Sequence, residues 1–345
     1  MKWWQWFLVV AGMIVAVNIV IVYLFKFHYT SIIINLYGGI KVLLSKIRKK
    51  SLLQLTQHYK YIDATNLTEA QDGLRHWPPP TNDVLPKIIW SYWHTTPLPS
   101  SLQQIIDARR RMLPDWDIRC LSPMDLPTYI SMAALPATYH KLWHCHQADL
   151  VRLLLLEKFG GLWMDISIII NDPRAVHNLY TQCQQQRCAL LAFTKFDGAD
   201  YIENWCLMAP PNSFLIRFWR QEMHKAITVG FLNYDILLMQ EGWVAPRRVE
   251  VFLTYLTMHR ALQAIRRKLG PPLMATLLLL PAEATMFHLH TYCKSRARIE
   301  RALTDPHEFA MTSAIPYIKL TQAAELKIDL TAYFNFLRQK NGKLN

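Results

Sequence analysis

The chain has 345 residues, 52% of them hydrophobic, enough to bury a sizeable core in one large domain or two small ones. Its net charge of +13 admits a nucleic-acid partner, but the basic residues form no stripe interleaved with exposed aromatics, which argues against nucleic acid. Six cysteines, none in paired C-x-x-C units, argue against a zinc scaffold.

The elements begin with an apolar run. Trp6 to Phe25 carries no charge, and about 20 such residues span about 30 Å of hydrocarbon as a helix. Trp3, Trp4 and Trp6 at one end, with Tyr23 and Tyr29 at the other, resemble interfacial aromatic belts. The run is too long for a signal-peptide core, so residues 1–27 are read as an uncleaved, single-pass membrane anchor in contact with lipid. Lys26, Lys41, Lys46, Arg48, Lys49 and Lys50 follow it, which by the positive-inside rule puts the large domain in the cytoplasm. Anchored sugar-processing enzymes of the secretory pathway have the opposite orientation, facing the Golgi lumen, and both sides stay open. The cluster "KIRKK" reads either as a lipid-headgroup contact or as a solvated stem helix.

Residues 28–83 read as a stem closed by the stiff "HWPPP" spacer, and residues 84–345 as the folded domain. "KIIWSYW" is a β-branched and aromatic strand; "SLQQIIDARRRML" is a helix capped by Ser100 or Ser101; "WDIRCLS" is a second strand. This β-α-β order marks an α/β domain with a parallel sheet. A long helix is expected from Pro136 through "ATYHKLWHCHQADLVRLLLLEKF" to the stop at Gly160-Gly161, then the strand "GLWM". "CALLAF" and "WCLMAP" read as strands, "SFLIRFWRQEMHKAI" and "RVEVFLTYLTMHRALQAIRRKLG" as helices. "MATLLLLPAEATMF" fits a strand or a buried helix. Leu153 to Leu156, Phe214, Ile216, Phe218, Trp143 and Trp163 are assigned to the core.

The chemistry gathers around "EKFGGLWMDISIII". Asp165 stands between the Gly-Gly stop and a run of β-branched residues, where an unpaired charge costs several kcal/mol. Asp149 and Arg152 share a helix face by their spacing of three. Either they are a surface pair or, with Asp165 at the carboxyl end of a strand, they converge on a divalent cation and an anionic leaving group. In "HCHQ" the two histidines, two residues apart, diverge around a helix, so that cluster is no metal site. Asp235 and Gln240 in "YDILLMQ" are weaker candidates for a pocket wall.

"KIIWSYW", "QADLVRLLLLEKFGGLWMDISIII" and "NWCLMAPPNSFLIRFW" together resemble the DXD-containing sugar-binding glycosyltransferases, closest to the capsular polysaccharide synthesis branch and related to fungal α-mannosyltransferases and glucosylating toxins. The resemblance runs from about Pro86 to Gln322 and rests on A-D-x-x-R followed by G-G-x-x-x-D. It implies a GT-A-like (Rossmann-like) nucleotide-sugar-binding domain, a nucleotide-diphosphate sugar donor, a glycan, polysaccharide or glycoprotein acceptor, Mn²⁺ or Mg²⁺, and retention of anomeric configuration. By the same resemblance Trp90 lies against the base, Asp149 and Arg152 hydrogen-bond the donor sugar, Asn204 touches donor or acceptor, and Asp165 is the first acid of the D-x-D. Its third position is Ser167 instead of Asp, so a metal held by Asp165 and Ser167 is held weakly. Either the diphosphate then supplies most ligands or a basic side chain substitutes, with Lys319, His288 and His290 as candidates. A catalytically inactive partner subunit is the alternative.

Overall fold

The computed structural model describes residues 64–79, 85–194, 202–243, 254–283, 295–320 and 328–342, with 285, 286, 289 and 293 between. The anchor assigned to 1–27, most of the stem, and His288 and His290 lie outside the described residues. Among the described residues no helix is long and apolar enough to cross a membrane.

Among the described residues eight strands alternate with helices: β1 (Ile88–Tyr92), α1 (Ser100–Met112), β2 (Asp117–Leu121), α2 (His144–Phe159), β3 (Gly161–Met164), β4 (Ile168–Ile170), α3 (Pro173–Gln186), β5 (Leu190–Thr194) and β6 (Cys206–Ala209). After them come α4 (Phe214–Val229), α5 (Phe231–Gln240), α6 (Thr257–Leu269), β7 (Leu277–Pro281), α7 (Arg296–Thr304), β8 (Tyr317–Lys319) and α8 (Thr331–Gly342). The six-stranded sheet runs β2-β1-β3-β6-β5-β7, with β6 antiparallel to both neighbours and the other pairings parallel. A mixed α/β fold with a mostly parallel sheet is thus what the β-α-β reading anticipated. A small antiparallel pair, β4 with β8, stands beside it.

Both faces of the sheet are covered, so its strands are apolar on both sides rather than alternating with polar residues. Ile89, Leu162, Met164, Leu191 and Met208 pack on one face with Leu102, Ile105, Val176 and Leu179 of α1 and α3. Trp90, Trp163, Leu190, Leu207 and Ala209 pack on the other with α2, α4 and α6. The Gly-Gly stop is needed at both positions. Gly160 (φ +66°) and Gly161 (φ +96°) are left-handed, and an added Cβ would meet the Pro211 backbone nitrogen at 2.5 Å and the Ile88 carbonyl at 2.8 Å.

Several boundaries differ from the sequence reading. The long helix starts at His144, not near Pro136. Gln147 Nε2 donates to the carbonyls of Leu142 (3.1 Å) and Tyr139 (3.4 Å), so the preceding turn is satisfied by a side chain instead of by continuing the helix. Trp143, assigned to the core, sits at that break and is 59% exposed. Helix α1 is preceded by Pro99, and neither Ser100 nor Ser101 caps it; Ser101 is buried instead. The ambiguous "MATLLLLPAEATMF" resolves to β7, which pairs with β5 through Leu277 to Pro281. The final part of the stem belongs to the fold. Residues 64–75 are helical and press Leu67, Ala70 and Leu74 into the second core, and Trp77 of the "HWPPP" segment lies 5.5 Å from the Phe214 ring and donates to the Arg187 carbonyl.

Candidate active site

Asp165 follows β3 directly, at the carboxyl end of the parallel strands. The antiparallel strand β6 starts at that same end, because Met164 pairs with Cys206, and so brings Asn204 there. Helix α2 runs back along the sheet and delivers His146, Asp149 and Arg152. Strand β8 pairs Lys319 with Ile168, which places its side chain over the neighbouring Ser167. Four elements distant in sequence meet at one point for these reasons.

The groups form a continuous network. Asp149 Oδ1 accepts from Arg152 Nη1 (2.9 Å) and Asn204 Nδ2 (3.0 Å), and Asp149 Oδ2 lies 3.3 Å from His146 Nδ1. Arg152 Nη2 donates to Asp165 Oδ1 (3.2 Å), which also accepts from Trp163 Nε1 (2.9 Å). The Arg152 guanidinium lies 4.8 Å from the centre of the Trp163 ring. On the far side Lys319 Nζ is 3.3 Å from Asp165 Oδ2 and donates to Ser167 Oγ at 2.7 Å. Charges alternate in sign along the line Asp149, Arg152, Asp165, Lys319, which is how the half-buried Asp165 is compensated.

The structure therefore brings together Asp149, Arg152, Asp165, Ser167, Asn204 and Lys319. Asp149 and Arg152 are each only 4% exposed, which rules out the surface-pair alternative. The open part of the group is formed by the Asp165 side chain, 26% exposed, the Lys319 side chain, 15% exposed, and partly buried Asn204. Asp149 and Arg152 stand behind them.

Trp90 is not part of the group. It is fully buried, donates from Nε1 to the Gly160 carbonyl (3.0 Å) and packs on Tyr129 and Phe159. Gly160 marks the opposite end of β3 from Asp165, so Trp90 faces away from the site as a core residue. Trp90→Phe is expected to cost about 1–3 kcal/mol by orphaning that carbonyl, and to leave nucleotide affinity unchanged; denaturant unfolding and a binding titration on the same variant check both. Asp235 is buried in an ion pair with Arg260 of α6, a structural engagement rather than a pocket wall.

Arg109 was not singled out in the sequence. Its guanidinium, only 1% exposed, donates to Ser91 Oγ (2.9 Å) and to the carbonyls of Asp165 (2.7 Å), Ile166 (3.3 Å) and Ile168 (2.6 Å). It clamps the loop that carries Asp165 and Ser167. Burial lowers its pKa to about 10, leaving it charged at neutral pH. In "DARRRM" it is one of three arginines, and only the helix phase that puts Ile105, Ala108 and Arg109 inward distinguishes it. Tyr255 is a second omission. Its ring is half exposed, and the Asp149 and Asp165 carboxylates nearby act to raise its phenol pKa.

As a divalent-metal centre the arrangement fits poorly. Among the described residues the open donors are Asp165 Oδ2 and Ser167 Oγ, and the Lys319 ammonium already bridges them. Among the described residues no cluster of three or more His, Cys, Asp or Glu stands ready for a metal.

A family described as "Capsular polysaccharide synthesis protein" matches residues 45–230, the stretch that contains β1, α2, β3, Asp165 and Asn204. Among curated proteins, an O-glycosyltransferase, braB, of Annulohypoxylon truncatum is 33% identical over 101 residues, covering 25% of this chain and 23% of its own length. The O-glycosyltransferase PaGT of Phomopsis amygdali is 25% identical over 152 residues, covering 39% of this chain and 37% of its own. The chain thus spans less than two fifths of either curated relative. Among solved structures, PaToxG Glycosyltransferase superposes with a TM-score of 0.35 at 13% identity, over 65% of this chain and 96% of that one. A glycosyltransferase involved in the glycosylation of the major capsid of PBCV-1 gives 0.37 at 6% identity, over 73% and 100%.

Proposed function

Because the chain belongs to the capsular polysaccharide synthesis protein family, we propose that it is a glycosyltransferase that moves a sugar from a nucleotide-diphosphate donor to a glycan, polysaccharide or glycoprotein acceptor. The observation that carries this reading is the joining of Asp149, Arg152 and Asn204 to a partly open Asp165 at the carboxyl end of the parallel strands. Ligands of open α/β sheets bind at that end. The domain is then GT-A-like, and the family resemblance adds retention of anomeric configuration. The uncharged run Trp6–Phe25 supports an N-terminal membrane anchor, which would hold the enzyme near a lipid-associated acceptor.

Each group has a chemical part in this reading. Asp165 accepts hydrogen bonds from donor hydroxyls, while Asp149 and Arg152 fix its orientation from behind. Departure of the diphosphate builds negative charge on a β-phosphate oxygen, and a cation waiting in a site of low water content lowers that barrier. Asn204, held by Asp149, offers an amide at the edge of the pocket.

The test is release of free nucleotide by the full chain in detergent, supplied in turn with UDP-, GDP- and CDP-sugars. One donor class is expected to give turnover above the buffer rate. No release from any donor, with or without Mn²⁺, would favour the inactive partner subunit, a reading that the replacement of the second acid by Ser167 keeps in play.

A further inference from the structure

We propose that the side chain of Lys319 takes the place of the divalent cation, so that the leaving diphosphate is met by an ammonium group held between Asp165 and Ser167. The inference rests on the transferase reading and on the geometry of three side chains. Lys319 Nζ lies 2.7 Å from Ser167 Oγ and 3.3 Å from Asp165 Oδ2, the position between the two D-x-D side chains that a metal ion would need.

The lysine is built in. Strand β8 is registered on β4 by Ile168↔Lys319 and Ile170↔Tyr317, Leu320 N–H donates to the Ser167 carbonyl (3.1 Å), and Lys319 N–H to the Met286 carbonyl (3.1 Å). The backbone on both sides of the contact is therefore fixed. Its ammonium also reaches the Leu320 carbonyl at 3.3 Å. With the side chain only 15% exposed, the charge acts at short range with limited screening by water.

Among the described residues the charges of the network are already paired. The network holds two carboxylates, Asp149 and Asp165, and two cations, Arg152 and Lys319. A divalent ion added next to Lys319 would bring two further positive charges, which the donor diphosphate, rather than Asp149 or Asp165, would have to balance. Replacement of the second acid by Ser167 is consistent with this, since a hydroxyl accepts a hydrogen bond from an ammonium without adding charge.

In the transfer step the bond from the anomeric carbon to the β-phosphate oxygen breaks, and its electron pair stays on that oxygen. The anomeric carbon bonds to the acceptor oxygen, and the acceptor's hydroxyl proton leaves on the departing diphosphate. Lys319 donates a hydrogen bond to the developing anion and keeps its own protons.

The experiment follows Mn²⁺ by electron paramagnetic resonance during titration of the full chain, with and without UDP, GDP or CDP. It compares wild type, Lys319→Ala and Asp165→Asn, each first shown to keep the wild-type melting profile; Lys319→Met replaces the alanine variant if that one fails to fold. Wild type is expected to show no Mn²⁺ site that Asp165→Asn removes, and its nucleotide release to change less than about twofold with a chelator, while the Lys319 variant loses about 100-fold or more. One Mn²⁺ per wild-type chain, abolished by Asp165→Asn, would overturn the proposal. So would turnover that a chelator stops and Mn²⁺ restores. Should no donor release nucleotide, the transferase reading fails, while the Mn²⁺ titration still decides whether Lys319 holds the cation position.

Discussion

Asp165→Asn is expected to lower turnover by about 100-fold or more while the protein stays folded. The loss has an electrostatic origin. Asparagine keeps an oxygen that accepts from Trp163 Nε1 and Arg152 Nη2, so the shape of the site survives. The negative charge that pairs with both Arg152 and Lys319 does not. Lys319 then loses its pairing with Asp165 and keeps its neutral acceptors at Ser167 and Leu320, and removing a preorganised charged contact in a site of this kind typically costs about 10²–10³ in rate. The stability change is expected to stay below about 2 kcal/mol, because Asp149 still neutralises Arg152 and the open side of the site lets water reach Lys319. Turnover measured beside thermal melting separates the two effects. Near-normal turnover would mean that the chemistry lies elsewhere.

Arg109→Met is expected to act on stability, at about 3–5 kcal/mol. The guanidinium is removed from a position where it serves four acceptors: Ser91 Oγ and the carbonyls of Asp165, Ile166 and Ile168. Methionine fills much of the volume but donates nothing. Buried acceptors left unpaired cost about 1–3 kcal/mol each before relaxation. Ser91 keeps its own bond to the Met164 carbonyl (2.6 Å), and the Asp165 carbonyl keeps the Ile168 amide (3.1 Å), so the losses fall short of a full sum. Arg109→Lys should recover only part of the stability, since one ammonium cannot match a planar fork reaching several acceptors. Chemical denaturation reads the effect. Because the clamped loop carries both Asp165 and Ser167, turnover of whatever folded Arg109→Met remains should also fall. A variant with wild-type stability would contradict the clamp.

The sequence carried much of the site because the site depends on features with strong local signatures. Gly160-Gly161 marks a stop that only glycine allows, and the "GLWM" strand after it fixes Asp165 at a strand end. Asp149 and Arg152 lie on one helix face by spacing alone, and the structure confirms their pairing. What stayed hidden depends on contacts across the chain. The 4% exposure of that pair, the pairing of β4 with a strand 149 residues later that sets Lys319 over Ser167, and the Arg109 clamp are all tertiary. Trp90 shows the opposite failure. An aromatic residue in the first strand matched the family resemblance, yet in this chain β1 turns it towards Gly160 and away from Asp165. The start of α2 departs from the sequence expectation because Gln147 closes the preceding turn with its side chain, an arrangement that helix propensity does not record. Residues 64–79 look like stem in the sequence because the proline run 78–80 closes them, whereas Leu67, Ala70 and Leu74 bind their helix to the second core.

The central claim, that the Asp149–Arg152–Asp165 network is a nucleotide-sugar site, is tested most directly by thermal shift of the full chain against UDP, GDP, CDP and their sugars, wild type beside Asp165→Asn. A ligand that binds only the folded state raises the apparent stability by RT ln(1 + [L]/Kd), so even weak binding registers at high ligand concentration. One nucleotide class should raise the melting temperature of wild type, its sugar conjugate should raise it further, and the sugar's added increment should vanish in Asp165→Asn. No shift with any nucleotide, or an increment unchanged in the variant, would contradict the assignment.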